Sequence, residues 1–215
     1  MSGAIWPWLT LALLGAYHGI DPSMGWLFAV ALGLQEQSRA TVLKALGPIA
    51  IGHLAAITLV VALVGGLSSL VAFDYLKPAG ALALILFGLF RLAWPRAHPR
   101  WVSMRVNSAQ LVLWSFLMAS AHGAGLMLFP VLVGMQRATA GAEHHAHAMP
   151  AAVDSIAQAT AVVGVHTLSM LLVMGVVAVA VYQWIGLAIL RSAWVNLDLI
   201  WAIALIVAGA LTLIV

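Results

Sequence analysis

Four histidines and one aspartate lie inside apolar stretches that otherwise predict membrane-spanning helices. They are His18, Asp21, His53, His122 and His166. A polar side chain without partners is costly in hydrocarbon, and an ionised aspartate at mid-bilayer costs about 2.5 to 3.5 kcal/mol on insertion scales. Imidazole nitrogens with one carboxylate suit Ni, Co, Zn, Cu(II) or Fe(II) better than Mg or Ca, which prefer several oxygens. The five residues therefore predict one shared intramembrane site for a divalent transition metal.

Two further groups are predicted as accessory ligands. Met24 would add a soft thioether that favours Cu(I). The segment from 141 to 150 carries His144, His145 and His147 and reads as a polar loop. Three loop histidines without fixed geometry bind metal only weakly, so we expect them to tune metal affinity and not to form the main site.

Composition places the chain among integral membrane proteins. Apolar residues make up 64%, charged residues 7%, and the mean hydropathy is +1.09, which leaves too little polar surface for a soluble domain of 215 residues. The absence of cysteine excludes disulfides, thiolate metal sites and thiol relays. A net charge of +3, scattered among loops, gives no reason to expect nucleic acid as a partner.

Six apolar runs are long enough to cross a bilayer as helices. They lie at roughly 5–34, 45–73, 78–94, 108–135, 156–182 and 197–215. The expected fold is therefore an all-α integral membrane protein with one transmembrane domain over 1–215, in contact with the lipid bilayer. The oligomeric state cannot be inferred from these runs.

Basic residues predict the orientation of the spans. Of the nine lysines and arginines, all but Lys77 and Arg137 fall on one side of an alternating six-span chain. By the positive-inside rule, loops 35–44, 92–107 and 183–196 are then cytoplasmic and both termini face outward. We expect the protein to lie in a bacterial inner membrane, with the histidine-containing loop on its outer side.

The two halves of the chain form an internal repeat, 1–95 and 106–215. Residues 81–88 in span three and 202–209 in span six agree at five of eight positions. The histidines also recur in the same order. Ala-Tyr-His18-Gly corresponds to Ser-Ala-His122-Gly, and Gly-His53 corresponds to Gly-Val-His166. Units of three spans each must have opposite orientation, which is the inverted-repeat arrangement of many transporters.

The first span of each half carries a predicted break. In span one, a glycine precedes Asp21 and Pro22, a pair that disfavours a continuing helix and resembles the N-cap and first residue of a restarted one. In span four, the run 122–125 and Pro130 allow a similar interruption. Irregular backbone at membrane depth persists only where it is buried or lines a cavity, so both breaks are expected beside the histidines.

Two motifs resemble the nickel/cobalt transporters and their efflux relatives, a group within the lysine-exporter-like superfamily of three-plus-three inverted repeats. His18-Gly-Ile-Asp21-Pro is similar to the start of their His-x-x-Asp-x-Asp-His signature, and Ile-Gly-His53-Leu-Ala-Ala-Ile is similar to their Leu-Gly-His-Ser-Thr-Val-Val type motif. The resemblance implies metal-ligand roles for His18, Asp21 and His53. Ser23 and Met24 stand where the signature has Asp and His.

Three functional classes fit these residues. The first is transport of a divalent transition metal ion of the Ni, Co or Zn kind, with Cu or Fe as further candidates. The second is an intramembrane enzyme acting on a lipid-like substrate, with a bound metal or with His18 and Asp21 as acid and base. The third is an exporter of small organic solutes, in which the histidines donate hydrogen bonds to the substrate.

Overall fold

The described residues form an all-helical structure. The computed structural model describes residues 5–94, 106–140, 156–185 and 197–214, and this part of the chain contains no β-strand. Its α-helices are α1 (Trp6–Ile20), α2 (Trp26–Gln35), α3 (Arg39–Leu70), α4 (Phe73–Ala93), α5 (Ser108–Ala121), α6 (Phe129–Ala140), α7 (Ile156–Ala180) and α8 (Leu197–Ile214). The predicted accessory ligands His144, His145 and His147 lie outside the described residues.

Three of the described helices are long and apolar enough to cross a membrane. They are the stretches Arg39–Leu67, Tyr75–Ala93 and Ala157–Trp184, with mean hydropathies of 2.2, 1.6 and 2.3. Ser108–Ala121 and Leu126–Val133 pass the same test as a pair bent by 50°. Trp26–Gln35 and Leu199–Ile214 are shorter apolar helices. The helical architecture expected of an integral membrane protein is present, and the count of six spans stays a prediction.

The predicted break in the first span is present between α1 and α2. Helix α1 ends at Ile20, and Pro22–Met24 form a single 3-10 turn before α2 begins at Trp26. Asp21 caps that turn, because its Oδ1 accepts a hydrogen bond of 2.8 Å from the Ser23 backbone N–H. Gly25 then adopts φ = 120°, a conformation that side-chain-bearing residues rarely reach. The expected restart at Pro22 is thus a 3-10 turn, and the α-helix resumes four residues later.

The predicted break in the fourth span is present between α5 and α6. Helix α5 ends at Ala121, the chain turns through 122–125, and a 3-10 turn over Leu126–Leu128 leads into α6. Gly123 has φ = 66°, in the left-handed region. Both halves of the chain therefore interrupt their first helix at the residues where the sequence combines histidine with glycine.

Polar caps fix the starts of α3 and α5. Ser38 accepts a 3.3 Å hydrogen bond from the Thr41 backbone N–H at the start of α3. Asn107 and Gln110 form a reciprocal capping box at the start of α5, with both bonds at 2.9 Å. These side chains satisfy backbone donors that a helix start leaves without partners.

Three helix pairs make most of the interhelical contacts: α1 with α7, α3 with α5, and α4 with α8. The pair α1 and α7 runs in the same direction, because Ser169 donates to the Ala12 carbonyl while Gly19 contacts Met174 further along. Helices α3 and α5 are also parallel, since Ile49 shares an apolar cluster with Leu111, and the later Ala56 shares another with Ala119.

Helices α4 and α8 pack in opposite directions through glycine. A Cβ on Gly88 would lie 2.9 Å from the Ala202 carbonyl oxygen, and a Cβ on Gly209 would lie 2.7 Å from that of Ala81. Both distances are shorter than side chains tolerate, so the two backbones meet only because these positions are glycine. The contact joins the two segments, 81–88 and 202–209, that match in sequence.

Candidate functional site

Three of the predicted site histidines form one buried cluster. His18 comes from α1, His53 from α3 and His166 from α7, and each is at most 1% exposed. The His18 ring centroid lies 5.4 Å from that of His53 and 4.9 Å from that of His166, with both contacts edge-on. The rings of His53 and His166 are within 5° of parallel, with centroids 5.6 Å apart. We refer to these three residues as the imidazole cluster.

The imidazole cluster retains ring nitrogens without hydrogen-bond partners. His18 Nδ1 lies 2.8 Å from the Leu14 carbonyl oxygen, which only accepts, so Nδ1 carries the proton and Nε2 presents a lone pair. His18 Nε2 and His53 Nδ1 are buried without a partner, whereas the His166 ring lies within reach of the Leu11 backbone. Nε2 of His53 and Nε2 of His166 face each other at 3.5 Å. Buried polar atoms are normally paired, so this cluster is an exception that a ligand would explain.

The spacing within the cluster approaches that of metal ligands. Two nitrogens bound to one tetrahedral zinc at about 2.0–2.1 Å are separated by about 3.3 Å, close to the 3.5 Å between His53 and His166. Among the described residues, however, no three histidine, aspartate or glutamate side chains are grouped as a preformed metal site. His53 and His166 therefore stand at ligand spacing, with His18 beside both rings.

The other two predicted ligands lie in a separate hydrogen-bonded group with Ser23. The Ser23 hydroxyl donates to Asp21 Oδ1 at 2.7 Å, and Ser23 Oγ is 3.2 Å from His122 Nε2. Asp21 is 5% exposed and His122 is fully buried. We call Asp21, Ser23 and His122 the polar link, because it joins the break after α1 to the break after α5. The sequence marked Ser23 only as a departure from a motif, and its two contacts appear only in the fold.

His18 and His122, which correspond in the two halves, share one backbone contact. Each places Nδ1 2.8 Å from the carbonyl oxygen four residues earlier, Leu14 for the first and Met118 for the second. Their Nε2 atoms differ, since that of His18 has no partner and that of His122 contacts Ser23 Oγ. The same local conformation therefore leaves one Nε2 without a polar neighbour and the other 3.2 Å from a hydroxyl oxygen.

Trp201 stands between the imidazole cluster and the polar link. Its ring centroid is 4.5 Å from that of His18, at 75°, and 5.4 Å from that of Tyr17, nearly parallel. Its indole N–H donates to the His122 carbonyl. Trp201 is not among the site residues predicted from the sequence. Its position inside an apolar run was unusual, because tryptophan favours the membrane interface.

The Met24 side chain packs in the apolar core. It is 2% exposed and belongs to an apolar cluster with Ile49, Met170 and Met174. Of the predicted site residues within the described chain, three are thus brought together in the imidazole cluster, two lie in the polar link, and Met24 packs in the core.

A cavity of about 520 Å³ lies between α3 and α7. Its lining is mostly apolar and includes the hydroxyl-bearing Thr58 and Thr160. Two lining residues adjoin the imidazole cluster in sequence, because Leu54 follows His53 and Gly164 precedes His166 by two positions. The cavity is therefore close to the cluster along both helices.

Comparisons with protein-family models, curated proteins and solved structures find no match to this chain. The resemblance to nickel/cobalt transporters rests on the two motifs around His18 and His53. A helical fold accommodates many activities, so any function must follow from the imidazole cluster and the polar link.

Proposed function

We propose that this protein transports a divalent transition metal ion across a membrane, and that the imidazole cluster binds the ion. The observation that carries the proposal is three buried histidines in mutual ring contact, with His18 Nε2 unpartnered and the Nε2 atoms of His53 and His166 facing each other at 3.5 Å. Neutral imidazole is the commonest protein ligand for such metals. The buried, unpaired His18 Nε2 has a desolvation cost, which a metal ion as transported substrate would offset.

The ligand atoms are assigned from the hydrogen bonds. His18 binds through Nε2, because its Nδ1–H is held by the Leu14 carbonyl, the arrangement by which metal-bound histidines are usually oriented. His53 and His166 bind through the Nε2 atoms that already face each other. Ni, Co and Zn fit a nitrogen-rich site of this kind, and Cu and Fe are further candidates.

The packing supports a pseudo-two-fold relation between halves, with six spans formed by α1–α2, α3, α4, α5–α6, α7 and α8. Exchanging the halves converts the α1 and α7 pair into α5 and α3, and leaves α4 and α8 paired with each other. These three pairs make most of the interhelical contacts. If six spans alternate in direction, the first two pairs must be parallel and the third antiparallel. The observed contacts indicate the same directions.

Individual contacts support the same symmetry. Gly88 contacts Ala202, and Gly209 contacts Ala81. Exchanging the two halves of the chain converts the first contact into the second. The equivalent residues His53 and His166 face each other through the same atom, with nearly parallel rings. An inverted repeat places its substrate at such an axis, near the membrane midplane, and moves one unit against the other.

Asp21 and His122 have a different role in this proposal from the one first predicted. Their contacts with Ser23 connect the two helix breaks, where the irregular backbone needs polar partners. They hold the breaks together beside the metal and are not its primary ligands. The positive-inside rule orients loops 35–44, 92–107 and 183–196 toward the cytoplasm of a bacterial cell.

Metal uptake into proteoliposomes tests the proposed function. We expect Ni²⁺, Co²⁺ or Zn²⁺ flux with the unaltered chain and none with His53→Ala, which removes a ligand nitrogen. The control variant replaces His144, His145 and His147 with alanine, and it should retain flux with a changed apparent affinity. Equal loss in both variants, or no flux of any of these metals, contradicts the proposal.

The cavity between α3 and α7 favours a second candidate, export of a small organic solute. A mostly apolar cavity of about 520 Å³ is within the size range of pockets for small molecules. In this case the histidines would donate hydrogen bonds to the solute. Solute flux from loaded vesicles that is insensitive to metals and to chelators would favour this candidate over metal transport.

A further inference from the structure

Trp201 contacts both polar groups and belongs to neither. It is 2% exposed, it meets the His18 ring almost perpendicularly, and its indole N–H donates to the His122 carbonyl. Tyr17 stacks on it and precedes His18 in α1. One side chain of α8 therefore connects a candidate ligand in the first half of the chain with the helix break in the second half.

The contacts of Trp201 leave it little freedom to rotate. Indole has a single hydrogen-bond donor, and here that donor is committed to a backbone carbonyl. Stacking on Tyr17 restrains the ring plane further. A rigid aromatic ring against His18 then limits the orientations that the imidazole can adopt.

The restraint matters because His18 is held at only one of its nitrogens. The bond from Nδ1 to the Leu14 carbonyl fixes the tautomer, but the ring still needs a neighbouring surface to define where Nε2 lies. His53 and His166 contact the His18 ring on other sides, at 5.4 and 4.9 Å between centroids. Of the three ring contacts of His18, the one with Trp201 is the closest.

We infer that Trp201 is a positioning residue for the metal site. It limits the orientations from which His18 can present Nε2 to a metal ion bound by His53 and His166. This inference rests on the proposed function. Because Trp201 also binds the His122 carbonyl, a movement of the break after α5 would be transmitted to the ligand His18.

Binding of Co²⁺ to purified protein in detergent tests the inference, with His144, His145 and His147 replaced by alanine throughout. Trp201→Leu removes the ring contact, and we expect the Kd for Co²⁺ to rise about tenfold or more, the usual size of effects from residues that orient metal ligands. The visible ligand-field spectrum of bound Co²⁺ should shift as well, because it reports ligand geometry. A purely structural role would leave that spectrum unchanged.

Trp26 provides a matched control. It is also buried, at 5% exposed, and its indole N–H donates to a backbone carbonyl beside the other helix break, that of Ile20 at 3.0 Å. Trp26→Leu should lower stability without shifting the Co²⁺ spectrum or the Kd. An equal shift in both variants, or none in Trp201→Leu, overturns the inference.

Trp201→Phe keeps an aromatic ring and covers the case in which the leucine variant does not fold. We expect its Kd to stay within about threefold of the unaltered value, since the contact with His18 is retained. Co²⁺ quenches nearby tryptophan emission, so this variant should lose part of the quenching seen with all nine tryptophans. Undiminished quenching overturns the inference, and an unaltered chain that binds no Co²⁺ overturns the proposed function as well.

Discussion

The imidazole cluster and the polar link each contain one histidine of the predicted repeat, and they differ in how their polar atoms are paired. His18 and His122 make the same bond to the carbonyl four residues earlier. In the polar link, Ser23 then engages both His122 and Asp21. In the imidazole cluster, Nε2 of His18 remains without a partner, and Nε2 of His53 and of His166 have only each other.

The difference distinguishes polar atoms that are hydrogen-bonded within the protein from polar atoms that can still bind a ligand. A polar group that is already hydrogen-bonded gains little from a ligand, whereas an unpaired buried group gains a partner that it lacks. The two regions share histidine as their main residue, so residue type alone does not distinguish them. Their hydrogen bonds do, and for this reason we propose metal binding for the imidazole cluster and connection of the breaks for the polar link.

The largest predicted difference between the two regions is in metal affinity. His166→Ala removes a ligand nitrogen and should weaken Ni²⁺ binding by more than about 100-fold, beyond the range for residues that only orient ligands. His122→Ala should weaken it by less than about tenfold, because His122 acts outside the ligand set. Equilibrium dialysis of the two variants measures both values. Comparable losses would merge the two regions into one site of five ligands, as the sequence first predicted.

The second prediction tests the symmetry that makes the two regions comparable. Gly88→Val and Gly209→Val each force a side chain against a carbonyl in the partner helix, so each should destabilise the fold by about 3 kcal/mol, at the upper end for overpacking. Gly47 is the control, because a Cβ there meets nothing within 4 Å. Chemical denaturation in detergent gives the three values. Effects of Gly88→Val and Gly209→Val that differ by several-fold would contradict the two-fold relation.

The third prediction concerns the polar link alone. Ser23→Ala leaves Asp21 and His122 without their shared partner, at a cost of about 2 kcal/mol in the free energy of unfolding. Ni²⁺ affinity should change by less than about threefold, since no ligand atom is removed. Unfolding and binding are measured on the same preparation. A loss of affinity without a loss of stability would show that Ser23 belongs to the metal site.

The smallest expected effect is that of the histidine-containing loop. Replacing His144, His145 and His147 with alanine should change the apparent affinity for Ni²⁺ uptake by about twofold, because we place the primary ligands in the imidazole cluster and predict only an accessory role for these three histidines. Uptake rates across a range of Ni²⁺ concentrations give this value. Abolished uptake would place the primary site in the loop.

Much of the helical architecture could be predicted from the sequence. Apolar runs located the helices, and glycine and proline beside His18 and His122 located both breaks, because these residues act locally on the backbone. The form of the restart was less predictable. Asp21 caps a 3-10 turn and α2 begins only at Trp26, since Gly25 takes a positive φ that the local sequence does not specify.

The division of the site could not be predicted in the same way. The sequence placed five polar residues at membrane depth, but which of them meet depends on how α1, α3, α5 and α7 pack. Ser23 and Trp201 carry no charge and no ligand signature, and their importance comes from contacts 99 and 79 residues apart in the chain. Long-range contacts of this kind leave little trace in one sequence.

The most direct test is calorimetric titration of Ni²⁺ into protein in detergent, with the loop histidines replaced by alanine. We predict one ion per chain, with binding lost in His18→Ala and in His53→Ala and retained in Ser23→Ala. Absence of binding, or binding that survives loss of either histidine, would contradict the assignment of the imidazole cluster as the metal site.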